Sequence, residues 1–181
     1  MISTNELSFP MPASNLIAQR DPMRFVDTAL YADDCAAESV TLVRADSLAA
    51  DACGRFPAVA LIEIMAQTIG IYAGRLQRLA GEPPVVGLLL GTRRMSLPIS
   101  FFTPGDKLFC RVQKKFESDE GLWQFDCEVM LIERRAASPA ASLRGRQRSM
   151  SSIRLPDISS ASKTVLARMP ASVFENTPIR K

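Results

Sequence analysis

The sequence predicts an α+β protein in which a curved antiparallel sheet wraps one long buried helix. Three observations carry that prediction. Residues 56–78, FPAVALIEIMAQTIGIYAGRLQR, are apolar nearly all round, and a helix apolar on every side is buried. Residues 107–117 and 122–132 alternate apolar and polar side chains, the pattern of a half-buried hairpin. Two shorter strand-like runs, 23–31 and 36–43, precede the helix. One helix and one sheet bury each other only if the sheet curves, and what a single helix leaves uncovered predicts pairing of two subunits.

Taken in order, residues 1–12 are polar and Pro-punctuated and read as an N-terminal arm. Residues 13–19 read as one helical turn, ended before Pro22 because the residue preceding Pro avoids the helical region. Residues 23–31 (MRFVDTALY) and 36–43 (AAESVTLV) are strands around an Asp33-Asp34 turn, with Val40 and Leu42 on one face. Residues 46–55 form a polar loop. Pro57 suits the first turn of the long helix, and Gly81, Pro83 and Pro84 end it. Residues 85–90 are apolar and predict a buried strand; residues 95–102, with Pro98, predict an irregular or edge segment. Thr103-Pro104-Gly105-Asp106 is a turn. In the hairpin, Leu108, Cys110 and Val112 share a face, and Trp123, Phe125, Cys127 and Val129 point inward. Residues 149–155 predict a last short strand. The domain therefore spans 13–156, and 157–181 is a tail with a short helix around 165–169.

Composition narrows the function. An apolar content of 47% supports a real core, and a net charge of +3 makes no case for nucleic acid. The helix is long enough to span a bilayer, but Glu63 and Gln67 in its middle mark a core helix, so no membrane is expected. The N-terminus shows no charged region followed by an apolar one. The four cysteines lack any C-x-x-C spacing and read as free thiols of a cytoplasmic protein; Cys110 and Cys127 are placed to meet across the hairpin. The chain has no His. That removes the commonest general base and metal ligand, and it excludes Ser–His and Cys–His nucleophile systems within this chain. No metal or cofactor is expected.

Glu63 is the residue to explain, because a carboxylate in an apolar helix is costly unless paired. It is either a structural carboxyl bonded to Gln67, one turn on, or a functional acid whose pKa is raised by lost hydration.

Residues 19–27, QRDPMRFVD, resemble an H-R-x-P-x-L-L-x-D opening. Residues 57–67, PAVALIEIMAQ, resemble a P-G-V-L-x-x-E-A-x-A-Q helix, and residues 102–108, FTPGDKL, resemble a V-x-P-G-D-x-L turn. These are motifs of the hotdog-fold 3-hydroxyacyl-acyl-carrier-protein dehydratases. With GLLLGTRR at 87–94, the chain is most similar to the dehydratase-like proteins of aryl polyene biosynthesis, over residues 12–133. The resemblance implies a hotdog fold and a thioester of acyl carrier protein or coenzyme A as substrate, in fatty acid or polyene synthesis. It implies a homodimer, or a heterodimer with another hotdog subunit. Glu63 matches the acid of the catalytic pair. Backbone N–H groups around Pro57, Ala58 and Val59 would bind the thioester oxygen, with Gln67 beside the substrate. Arg93 and Arg94 are either a solvated strand end or a contact for an acidic carrier or its phosphopantetheine phosphate.

The departure is the base. In the family it is a His in an H-F-x-G loop; the matching position here is Ala49, and Gln19 stands where the opening motif has His. Three readings follow: the acid-bearing subunit of a dehydratase whose partner supplies the His, a non-catalytic acyl- or carrier-binding protein, or a hotdog thioesterase in which Glu63 activates water or attacks the thioester.

Overall fold

The computed structural model describes residues 7–134 and the backbone of Thr164–Arg168. The strands are β1 (Met11–Pro12), β2 (Thr28–Ala32), β3 (Ala36–Leu42), β4 (Phe56–Pro57), β5 (Leu88–Arg94), β6 (Phe101–Phe102), β7 (Lys107–Glu117), β8 (Leu122–Glu133) and β9 (Thr164–Arg168). The helix, α1, is Leu61–Leu79. Seven strands form one antiparallel sheet in the order β1-β2-β3-β7-β8-β9-β5, and β4 pairs with β6. Helix α1 packs across β2, β3, β7 and β8, which is the hotdog arrangement.

The hairpin β7–β8 follows the alternation. Leu108, Cys110 and Val112 of β7 and Trp123, Phe125, Cys127 and Val129 of β8 are all buried against the helix. A one-residue slip would turn every one of these side chains to solvent, so the pattern sets the register. Tyr72 of α1 meets both Trp123 and Phe125 edge to face, at centroid distances of 5.4 Å. Such contacts add about 1 kcal/mol each beyond the buried area. Cys110 lies opposite Val129, not Cys127, and all four cysteines are free thiols.

Strand β3 turns small residues inward. Its buried face is Ala37, Ser39 and Thr41, while Val40 is half-buried and Leu42 exposed. Small side chains let the helix lie close, and the two elements share a buried hydrogen bond of 2.8 Å between Ser39 Oγ and Thr68 Oγ1. Thr68 gives its single proton to Ile64 O, so Ser39 is the donor.

Four expectations are corrected. Residues 23–27 are not strand, because the backbone N–H groups of Phe25 and Val26 and the carbonyl of Met23 bond to the Gln67 side chain rather than to a neighbouring strand. The apolar run 85–90 is not buried: β5 begins at Leu88, and Val86, Leu88 and Leu90 are exposed. The patch around 165–169 is not a short helix. It is strand β9, which fills the gap between β8 and β5, with Ala167 paired to Trp123 on one side and Leu89 on the other. Five residues are too few for a stable helix turn but enough to satisfy two open ladders. Finally, the described end of the N-terminal arm belongs to the domain: β1 pairs with β2, and Leu7, Phe9 and Met11 pack on the core. The strand expected at 149–155 lies outside the described residues.

Candidate active site

Glu63 stands in the first turn of α1, not in its middle. Phe56 and Pro57 are extended and pair with β6, and residues 58–60 make a tighter 3-10 turn before the α-helix begins. Pro57 therefore precedes the helix. Ala58 is buried and its N–H donates to Ser100 O at 2.8 Å, so that N–H is not open to a thioester oxygen. Val59 is exposed and, like Pro57 and Ala58, does not line the space around Glu63.

That space is an open cavity of about 240 Å³. Residues 17–19 form one wall, Glu63, Ala66, Ile69 and Gly70 of α1 form the floor, and residues 85–89 form the other wall. The walls come close because the helix is pared down on that face. A Cβ on Gly74 would lie 1.7 Å from Leu16 O, and one on Gly70 would lie 3.3 Å from Ile17 Cγ2. Glycines four apart share a helix face, and here they let a backbone segment dock directly on it.

Gln67 holds Glu63. It is fully buried, and its Oε1 accepts the N–H groups of Phe25 (2.9 Å) and Val26 (3.2 Å). Its Nε2 donates to Met23 O (2.7 Å) and to Glu63 Oε1 (2.8 Å). Two acceptor sites and two donors are thereby all used, which also fixes the amide orientation. Gln67 has no bond to spare for a substrate; it positions Glu63 instead. Glu63 itself is half-buried at the cavity floor rather than enclosed. Its Oε2 has no partner among the described residues.

Glu63 is the one ionisable side chain lining this cavity among the described residues. Cys110 and Cys127 offer no nucleophile, because burial pushes the Cys110 thiol up to about 12 and raises that of Cys127 as well. Arg93 and Arg94 are exposed on the far half of β5 and do not reach the cavity lining. A second recess, of about 390 Å³, lies between residues 21–25 and 41–47. Its arginines are engaged by carboxylates, Arg24 by Asp21 and Arg44 by Asp27. The motif residues Glu63 and Gln67 are thus brought together. The walls at 17–19 and 85–89 were not legible as such; Gly70 and Gly74 were the signal that something docks there.

The described residues thus form an apolar cleft with a single oriented carboxyl beside the long helix. No curated protein matches the chain. A solved structure described as the dehydratase heterocomplex ApeI:P from Xenorhabdus doucetiae superimposes with a TM-score of 0.69 at 18% identity, covering 92% of this chain and 99% of that one. Cj0977, a sigma28-regulated virulence protein from Campylobacter jejuni, matches with a TM-score of 0.46 at 10% identity, covering 88% of this chain and 87% of that one. The family model of the ApeP dehydratase matches residues 11–147, the stretch that holds the helix, the cavity and the hairpin. The chain belongs to the ApeP-like dehydratase family.

Proposed function

We propose that this chain is the acid-bearing subunit of a hetero-oligomeric dehydratase acting on 3-hydroxyacyl thioesters. The observation that carries the reading is the single ionisable group in the cavity: Glu63 is oriented by Gln67, and no base accompanies it among the described residues. Elimination of water needs two groups. A base removes a proton from the carbon next to the carbonyl, and the C–H electron pair becomes the new double bond. An acid gives a proton to the hydroxyl on the third carbon, and that C–O bond breaks to release water. Glu63 supplies the second step. The base is an imidazole on a second hotdog subunit.

The partner's place is the free edge of the sheet. Among the described residues β5 has a neighbour only on the β9 side, and Val86, Leu88 and Leu90 stand exposed along it. An open strand edge with apolar side chains is a template for strand addition. The same segment, 85–89, is a wall of the Glu63 cavity, so a subunit docked there would stand beside the carboxyl. The related structure described as a dehydratase heterocomplex supports two unlike chains over two copies of one. The substrate would be a thioester of acyl carrier protein or coenzyme A, of the kind used in aryl polyene synthesis, with Arg93 and Arg94 as a contact for an acidic carrier or its phosphate. The setting would be cytoplasmic.

The test is co-purification of this chain with a His-bearing hotdog subunit, then turnover of a 3-hydroxyacyl thioester by the chain alone and by the complex. Enoyl product from the complex only, lost in Glu63→Gln, is the expected result. Thiol release by the chain alone, lost in the same variant, would replace this reading with a thioesterase.

A further inference from the structure

We infer that Gln19 is a substrate-contacting residue that selects acyl groups carrying a hydroxyl on the third carbon. The inference rests on reading the Glu63 cavity as an acyl-thioester site. Gln19 is half-buried and lines that cavity on the wall formed by residues 17–19. Its backbone carbonyl accepts from Arg20 Nη1 at 2.9 Å, but its side-chain amide has no hydrogen-bond partner among the described residues. The other polar side chain in the lining, among the described residues, is Glu63, whose Oε1 is taken by Gln67 and whose Oε2 is open. The remaining lining is carbon-rich: Ile17, Ala66, Ile69, Val86 and Leu89.

The wall that carries Gln19 is held firmly. Arg20 Nη1 donates to Ile17 O at 2.7 Å as well as to Gln19 O. Leu16 O sits against Gly74 and Ile17 against Gly70, so the segment cannot shift toward the helix. The backbone that carries Gln19 is therefore fixed before a ligand binds, and only the side chain has freedom left to lose. At 240 Å³ the cavity has room for about eight water-sized groups, which suits the first carbons of an acyl chain and the thioester.

An amide carries both an acceptor and a donor. Gln19 Oε1 would accept the hydroxyl proton of the substrate. That turns the oxygen lone pairs of the hydroxyl toward Glu63, which must protonate them as the C–O bond breaks. A saturated acyl chain would leave the Gln19 amide and Glu63 Oε2 without partners, and a site built for a hydroxyl rejects the analogue that lacks it.

The test measures binding of 3-hydroxybutyryl-pantetheine and butyryl-pantetheine to the full chain, alone and with the hotdog subunit it co-purifies with. Wild type is expected to prefer the hydroxy ligand by about tenfold, the size of one net hydrogen bond. Gln19→Leu is expected to cut that preference several-fold by weakening the hydroxy ligand, leaving only the part that Glu63 supplies, while butyryl binding stays the same. Gln19→Asn, which keeps the amide, is expected to restore part of it. A preference in Gln19→Leu equal to that of wild type overturns the inference, as does an equal loss for both ligands, which would mark a structural role. Binding of neither ligand to wild type in either state would overturn the functional reading itself.

Discussion

Gln67 Nε2 donates to Glu63 Oε1 at 2.8 Å, and the same amide accepts from the backbone of Phe25 and Val26 through its oxygen. One side chain therefore ties the carboxyl to the segment that enters the sheet. Replacing it with Leu would leave buried N–H groups at Phe25 and Val26 and a carbonyl at Met23 unpaired. Gln67→Leu is expected to lower stability by about 3 kcal/mol, since each orphaned buried group costs about 1–3 kcal/mol. Urea denaturation measures this; a loss under 1 kcal/mol would mean that water takes over those bonds.

Glu63 Oε2 has no hydrogen-bond partner among the described residues, so Glu63→Gln should fold normally. Loss of a general acid is expected to reduce enoyl formation by the complex about 100-fold or more. Steady-state rates at saturating thioester decide it. A fall in rate with little change in KM places the carboxyl in the chemical step.

The two glycines of α1 make a contrast that tests the docking of residues 16–17. An added Cβ at Gly74 would meet Leu16 O at 1.7 Å, which is backbone and cannot rotate away. At Gly70 it would meet the Cγ2 methyl of Ile17 at 3.3 Å, a side-chain contact that a shift of a few tenths of an ångström relieves. Gly74→Ala is expected to destabilise by about 3 kcal/mol or more, and Gly70→Ala by less than about 1 kcal/mol. Thermal melts of the two variants side by side provide the comparison.

The thiols should divide into two pairs. Cys35 and Cys53 are exposed, and Cys110 and Cys127 are buried, the former held up to about 12 by loss of hydration. At pH 8 a thiol reagent should modify two cysteines in the native protein and four after unfolding. The linkage has a definite sign. A thiol whose folded pKa lies above its unfolded value of about 8.5 adds stability that is whole below that value. That stability drains away as pH rises from there toward 12, because the unfolded chain releases the proton first. Urea midpoints between pH 8 and 11 should fall, and less so in Cys110→Ala relative to its own value at pH 8.

Leu88 and Leu90 are exposed on the outer edge strand, so charge there should spare the fold and remove the partner. Leu90→Lys is expected to keep the wild-type circular dichroism and melting temperature of the separated chain while abolishing co-purification with the hotdog subunit. Pull-down and size-exclusion profiles report this directly.

The elements readable from the sequence are those whose side chains obey one local period. The hairpin β7–β8 alternates through Leu108, Val112, Trp123 and Phe125, and the structure places each of them inside. The largely apolar helix read as core because Glu63 and Gln67 interrupt it, and the motif spacing set those two residues one turn apart on it. The rest depended on partners far along the chain. Residues 23–27 have strand-like side chains, but their backbone groups are claimed by an amide more than 40 positions away. Residues 85–90 are apolar yet Val86, Leu88 and Leu90 are exposed, and apolar content by itself does not say which surface a chain covers. Strand β9 pairs with β8 on one side and β5 on the other, a placement that no five-residue pattern encodes. Gln19 faces the Glu63 cavity because two glycines let its segment approach the helix. Local periodicity is written in neighbouring residues; which backbone groups remain open, and for whom, is settled only when distant segments meet.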